Sequence, residues 1–181
     1  MVHPLTGQPP TPEVRWNVRT GGATGRIGRY GYTRMGTDGR FRKHEGVDWI
    51  CPDGQPVYAA HDGYVHRTGF EVNTMGQEVN LGYGHRVYLR RGASVMTIYA
   101  HLVGSVYPHE VFVPEGALIG WAGRTGSPSY DTAIPTHLHF EALLEVLGST
   151  PAKQSKVNPE HWLHGHGSAD GVTLEDAKHG N

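Results

Sequence analysis

Between about residues 45 and 147 the apolar positions of this chain alternate with polar ones in short runs, each closed by a turn signal. Pro56-Val57-Tyr58-Ala59-Ala60 is followed by His61-Asp62-Gly63 and then Tyr64-Val65-His66, and the Asp-Gly step predicts a hairpin. The runs 85–90 and 94–101 flank Arg91-Gly92-Ala93, a second predicted hairpin. Pro114-Glu115-Gly116 separates Val111-Phe112-Val113 from Ala117-Leu118-Ile119-Gly120, and alternation resumes from His137 to Leu144. No helical pattern longer than two turns intervenes, and Val outnumbers Leu 17 to 11. Short, closely spaced strands of this kind predict an all-β antiparallel sandwich or barrel-like fold. The long Gly-, Pro- and polar-rich connections 67–84 and 125–136 are expected to rim a site.

The flanks read differently. Residues 1–12 hold Pro4, Pro9, Pro10 and Pro12, which predicts an extended N-terminal arm over 1–20. Residues 20–40 are too rich in Gly for a helix. One domain is expected over 21–163, with a flexible tail over 164–181.

Composition narrows the function. A length of 181 residues suits one domain, and no apolar run approaches the roughly 18 residues of a membrane span. A net charge of −1 argues against a nucleic-acid partner. The charge is uneven: residues 1–43 carry eight Lys/Arg against Glu13 and Asp38. That segment suits either an anionic polymer or plain solvent. Cys51 is the one cysteine, which excludes an intramolecular disulfide framework and a cysteine-based zinc site. The first residues lack the charged and apolar regions of a signal peptide.

Thirteen histidines are the feature to explain. In His137-Leu138-His139 the two imidazoles share one strand face, leaving Leu138 and Phe140 to the core. In His44-Glu45-Gly46-Val47-Asp48, Gly46 and nearby Pro52 oppose a helix, so His44 and Asp48 read as ligands on a loop entering a strand, with Glu45 pointing elsewhere. Two histidines and one carboxylate leave the fourth position of a tetrahedral zinc open, the catalytic pattern. His101, in Tyr99-Ala100-His101-Leu102 at a strand end, is expected on the Thr97/Tyr99 face, opposite Met96, Ile98 and Leu102. It reads there as a site residue or as an exposed histidine.

Together these segments resemble the M23 (LytM/lysostaphin-type) metallopeptidases, with their H-x-x-x-D, Y-x-H-L and H-x-H motifs. Gly54 to Gly63 is similar to the family's G-x-x-V-x-A-x-x-x-G. Val113-Pro114-Glu115-Gly116 through Ile119-Gly120, Gly123 and Thr125-Gly126 is similar to its V-x-x-G-x-x-I-G-x-x-G-x-T-G. The resemblance covers about residues 40–145. It implies a fold of the duplicated hybrid-motif type with long active-site loops. It also implies one Zn2+ per chain held by His44, Asp48 and His139, with His101 and His137 as non-ligand catalytic histidines. Which of these two is the base stays open.

The segment 127–135 departs from the family's short Ser/Thr/Gly-rich loop, which puts subsite specificity in question. His61, His66 and His85 are expected at the surface or in turns, and His161, His164 and His166 have no rigid frame. The implied function is a zinc endopeptidase cutting the stem or cross-bridge peptides of bacterial peptidoglycan. It would act at the cell wall as a phage or secreted lysin, delivered by a holin pore, a virion or a secretion system. The alternative is a LytM-like module that binds and activates without catalysis. A carrier or phosphotransfer domain ranks last, because Lys43 lies in no hairpin tip.

Overall fold

A computed structural model describes residues 1–10, 26–126, 134–146 and 153–163. Its strands are β1 (Gly31–Met35), β2 (Phe41–His44), β3 (Val47–Ile50), β4 (Pro56–Tyr58), β5 (Gly63–Gly69), β6 (Glu71–Val72), β7 (Glu78–Val79), β8 (His85–Arg91), β9 (Val95–Ser105), β10 (Phe112–Val113), β11 (Leu118–Ala122), β12 (His137–Val146) and β13 (Lys153–Val157). One helix, α1 (Pro159–Leu163), follows. Nine strands form one antiparallel sheet, and β1–β2 and β6–β7 are separate hairpins. The all-β antiparallel expectation holds.

Two long strands organise the sheet. The β9 strand pairs along one edge with β8, while its other edge is shared. Residues Val95 to Ala100 pair with β12, and Leu102 to Ser105 pair with β11. The sheet therefore forks at His101. The β12 strand likewise divides an edge between β3, over 137–140, and β13, over 142–146.

Alternation along these strands sends one set of side chains into the core. Val47, Trp49, Leu138, Phe140, Tyr99, Ala142, Val95 and Leu144 are buried on the core side, joined by Trp162 and Leu163 of α1. Asp48, His137, His139 and Glu141 alternate with them and take the opposite face. The expected facing of β9 is inverted. Thr97 and Tyr99 are fully buried, with the Tyr99 hydroxyl hydrogen-bonded to Thr97 Oγ1 (3.0 Å) and accepting from Ala60 N–H (2.8 Å). His101 has a left-handed φ of 63°, which breaks the alternation, returns Leu102 to the core and turns the imidazole to the other face.

Two turn expectations divide. Arg91-Gly92-Ala93 closes the β8–β9 hairpin, with Gly92 at φ 57°. His61-Asp62-Gly63 closes none: β4 pairs with β11, and β5 pairs with β8 and β10. The prolines of the N-terminal segment do not extend residues 1–10 as an arm. His3 and Val2 are buried, the His3 ring lies 4.3 Å from that of Trp49, and Tyr58 N–H donates to Pro4 O (2.7 Å). Apolar contact with Trp49 outweighs the extended preference. The rest of that segment and the tail 164–181 lie outside the described residues.

His61, expected at the surface, is fully buried. Nδ1 faces Asp62 O (2.6 Å), Nε2 faces Thr97 Oγ1 (3.0 Å), and Trp162 packs edge-on at 6.0 Å. Burial chiefly lowers its pKa to about 4. The unfolded chain then takes up a proton near pH 6.5 that the folded chain refuses until about pH 4, so stability is lost as pH falls through that window. His61→Leu is expected to flatten the pH 4–6.5 slope of the urea midpoint, and an unchanged slope contradicts this assignment.

Candidate metal centre and catalytic histidines

His44 ends β2, Asp48 lies on β3, and the two-residue link Glu45-Gly46 folds one against the other. Gly46 makes that link possible. A Cβ there would stand 2.6 Å from Phe140 O and 2.8 Å from His139 Cε1. The register of β3 on β12 then sets Asp48 directly opposite His139, and the register of β12 on β9 sets His139 opposite Ala100. The site is assembled from strand pairs that the core also requires.

Three donor atoms converge. His139 Nδ1 lies 2.8 Å from Asp48 Oδ1, His44 Nε2 lies 3.2 Å from the same oxygen, and the two histidine nitrogens are 3.1 Å apart. His44, Asp48 and His139 are all buried, and they are the group among the described residues whose donor atoms gather closely enough to hold a cation. The donor chemistry, two imidazoles and one carboxylate, fits a zinc ion with an open coordination position.

The outward atoms of each candidate ligand are also held. His44 Nδ1–H donates to Arg29 O (2.9 Å), which leaves Nε2 bare and facing inward. His139 Nε2–H donates to Glu141 Oε1 (3.0 Å), which turns Nδ1 toward Asp48. Tyr83 donates to that Glu141 oxygen (2.6 Å), and Lys156 Nζ pairs with Glu141 Oε2 (2.9 Å) and with Glu45. The Arg34 guanidinium donates to Asp48 Oδ2 (2.8 Å) and lies 2.8 Å from His44 Nε2.

These contacts set the charges. Burial would raise the Asp48 carboxyl, but the His139 and His44 imidazoles against it hold it well below its ordinary range. Burial would lower His139, yet Asp48 and Glu141 outweigh it and push the imidazole up to about 9. A bound cation competes with that Nδ1 proton, so binding releases it. Burial, above all, lowers His44.

His101 and His137 stand beside this group, their rings 4.8 Å apart, and the His101 ring lies 5.8 Å from that of His139. His101 Nδ1–H donates to Thr125 O (2.7 Å), and His137 Nδ1–H donates to Pro135 O (2.9 Å). A carbonyl only accepts, so both rings keep Nε2 as the bare nitrogen. His137 Nε2 lies 3.9 Å from Asp48 Oδ1. Burial chiefly, with His139 and His137 nearby, lowers His101 to about 3, which keeps it neutral. Gly126, at φ 95°, lets the 125–126 turn approach: a Cβ would sit 3.0 Å from His101 Nδ1.

All five residues singled out in the sequence are thus brought together. A cleft of about 330 Å³ opens onto His101 and His139, lined also by Arg34, Glu71, Gly82 and Tyr83. A cavity of about 570 Å³ elsewhere, near Tyr64, His66, Arg90 and His109, gathers no comparable donor group among the described residues. His85 opens β8, its N–H donating to Thr125 Oγ1 (2.9 Å) and its ring edge-on to Phe70. Sequence reasoning missed Arg34, Tyr83 and Lys156. Glu141 was within reach, because position i+2 from His139 on a strand shares its face.

The fold and the donor set define a β-sheet metallohydrolase-type site, and comparison with known proteins makes the class specific. Residues 42–159 match the model of peptidase family M23, and the chain belongs to that family. Peptidoglycan DD-endopeptidase ShyC of Vibrio cholerae is 30% identical over 113 residues, 62% of this chain and 23% of the relative. The catalytic domain of lysostaphin, an antimicrobial peptidase of Staphylococcus simulans, superposes with a TM-score of 0.55 at 26% identity. That match covers 82% of this chain and 93% of the other. A mutant catalytic domain of EnpA, a prophage-encoded M23 protein of Enterococcus faecalis, gives 0.50 at 25% identity over 73% and 85% of the two chains. The chain spans about a quarter of the length of the first curated relatives it matches.

If Glu141 orients His139 and raises its basicity, Glu141→Gln weakens zinc affinity about 10- to 100-fold, as loss of such outer partners does elsewhere. Competition with a chromogenic chelator measures this, and an affinity within twofold of wild type contradicts it.

Proposed function

We propose that the chain is a zinc-dependent endopeptidase that hydrolyses peptide bonds in the stem or cross-bridge of bacterial peptidoglycan. The observation that carries this is the convergence of His44, Asp48 and His139 with the bare Nε2 atoms of His101 and His137 beside them. The peptidase activities of ShyC and lysostaphin support the substrate class, and the prophage origin of EnpA supports a phage-borne or secreted lysin acting at the cell wall. The catalytic domain is taken as residues 21–163.

His44 through Nε2, Asp48 through a carboxylate oxygen and His139 through Nδ1 would hold the ion. Zinc, when bound, polarises the scissile carbonyl and lowers the pKa of a water to about 7. Neutral His101, its Nδ1–H anchored on Thr125 O, offers Nε2 to take a proton from the attacking water. His137, anchored on Pro135 O with Nε2 3.9 Å from Asp48 Oδ1, is placed to steady the developing oxyanion or protonate the leaving amine. This divides the two roles the sequence left open, with His101 as base.

Purified diaminopimelate-type and glycine-bridged peptidoglycan, digested with and without a chelator and analysed by mass, tests the activity. New amine termini on at least one wall type, abolished by chelator and restored by zinc, are expected. No new termini with zinc present would overturn the reading. His101→Ala is expected to lower kcat by about 10²- to 10⁴-fold, the usual contribution of a general base.

A further inference from the structure

Arg86 lies on β8 and is fully buried, while its counter-charge Glu71, on β6, is about half exposed. The guanidinium Nη2 stands 3.1 Å from Glu71 Oε1, and its carbon lies 5.7 Å from the centre of the Tyr88 ring. None of Nε, Nη1 and Nη2 has a hydrogen-bond partner among the described residues, so the contact with Glu71 is an ion pair. A buried cation so placed is compensated by one carboxylate and one aromatic face.

The carboxylate belongs to the cleft. Glu71 lines the same opening as His101 and His139. The hairpin that carries it is slight: β6 and β7 have two residues each, pair only with each other, and leave Val72 and Met75 exposed. Two strands this short do not hold together alone in water. The flanks are pinned, with Phe70 edge-on against His85 and Asn80 Oδ1 accepting from Gly126 N–H (2.6 Å). Between those points the Arg86–Glu71 pair ties the hairpin to the sheet.

We propose that Arg86 is a positioning residue for the substrate cleft: its buried guanidinium holds Glu71, and with it the β6–β7 hairpin, as one wall of that cleft. The assignment of a substrate to the cleft rests on the peptidase reading; the latch itself does not. The wall cannot swing outward without stranding a buried cation, so the pair keeps the cleft shaped before substrate arrives. Removing the two partners has unequal consequences. Glu71→Gln leaves Arg86 buried and uncompensated, whereas Arg86→Met leaves Glu71 free to enter water. Both release the hairpin, and Glu71→Gln costs the fold more.

Amide hydrogen exchange over residues 70–80, measured on the zinc-loaded full chain, tests the latch without needing activity. Exchange at 72–79 is expected to quicken about tenfold in Arg86→Met, the loss of one contact to a charged group, with the rest of the sheet unchanged. Arg86→Lys restores part of the protection. On soluble peptidoglycan fragments KM rises severalfold while kcat stays within twofold. Unchanged exchange at 72–79 in Arg86→Met overturns the latch, as does a fall in kcat at constant KM. Absence of cleavage by the wild type would instead overturn the peptidase reading and leave the exchange result to decide the latch.

Discussion

The pairing of β3 with β12, which sets Asp48 opposite His139, is the constraint on which the rest of the site depends. A side-chain period of two means that a slip of β3 by one residue would send Trp49 toward the cleft and Asp48 into the core. The same register therefore serves packing and chemistry. Trp49 stacks on Phe140 at 5.3 Å on one side of the sheet, while Asp48 and His139 meet on the other. The fork in β9 adds the third element. Where that strand passes from β12 to β11, His101 takes a left-handed conformation and joins the ligand face out of turn.

A buried carboxylate and three buried histidines are costly unless every polar atom is answered, and here the answers come from outside the motif. Arg29 O, Glu141, Thr125 O and Pro135 O each accept from the outward nitrogen of one imidazole. Four rings are oriented this way, and in each the other ring nitrogen faces the site. Glu141 is in turn held by Tyr83 and Lys156, so β13 reaches the metal centre through a single lysine.

Much of this was legible in the chain. Alternation gave the all-β class and the shared face of His137 and His139, and the spacing of His44 and Asp48 around Gly46 gave two further candidate ligands. The reading failed where alternation itself breaks. Thr97 and Tyr99, expected on the face of His101, lie in the core because a left-handed residue at His101 inverts the pattern, and nothing in Tyr99-Ala100-His101-Leu102 marks it. His61 looked like a turn residue beside Asp62-Gly63, yet a histidine satisfied by Thr97 and Asp62 O packs into the core as well as an apolar residue does. Asp62-Gly63 itself joins strands that do not pair, because Gly63 serves close approach: a Cβ there would stand 2.6 Å from Arg90 O. Arg34 left no signal at all, since its partner Asp48 lies in a different strand and its neighbours suggested only a solvated basic stretch.

The central claim is that His44, Asp48 and His139 hold the metal while His101 and His137 do not. Zinc content per chain, measured on the wild type and on the alanine variant at each of the five positions after dialysis against metal-buffered solution, tests it most directly. The account predicts one zinc in the wild type, His101→Ala and His137→Ala, with little retained in the other three. Full zinc retention by Asp48→Ala or His139→Ala, or its loss from His101→Ala with the fold intact, would contradict it.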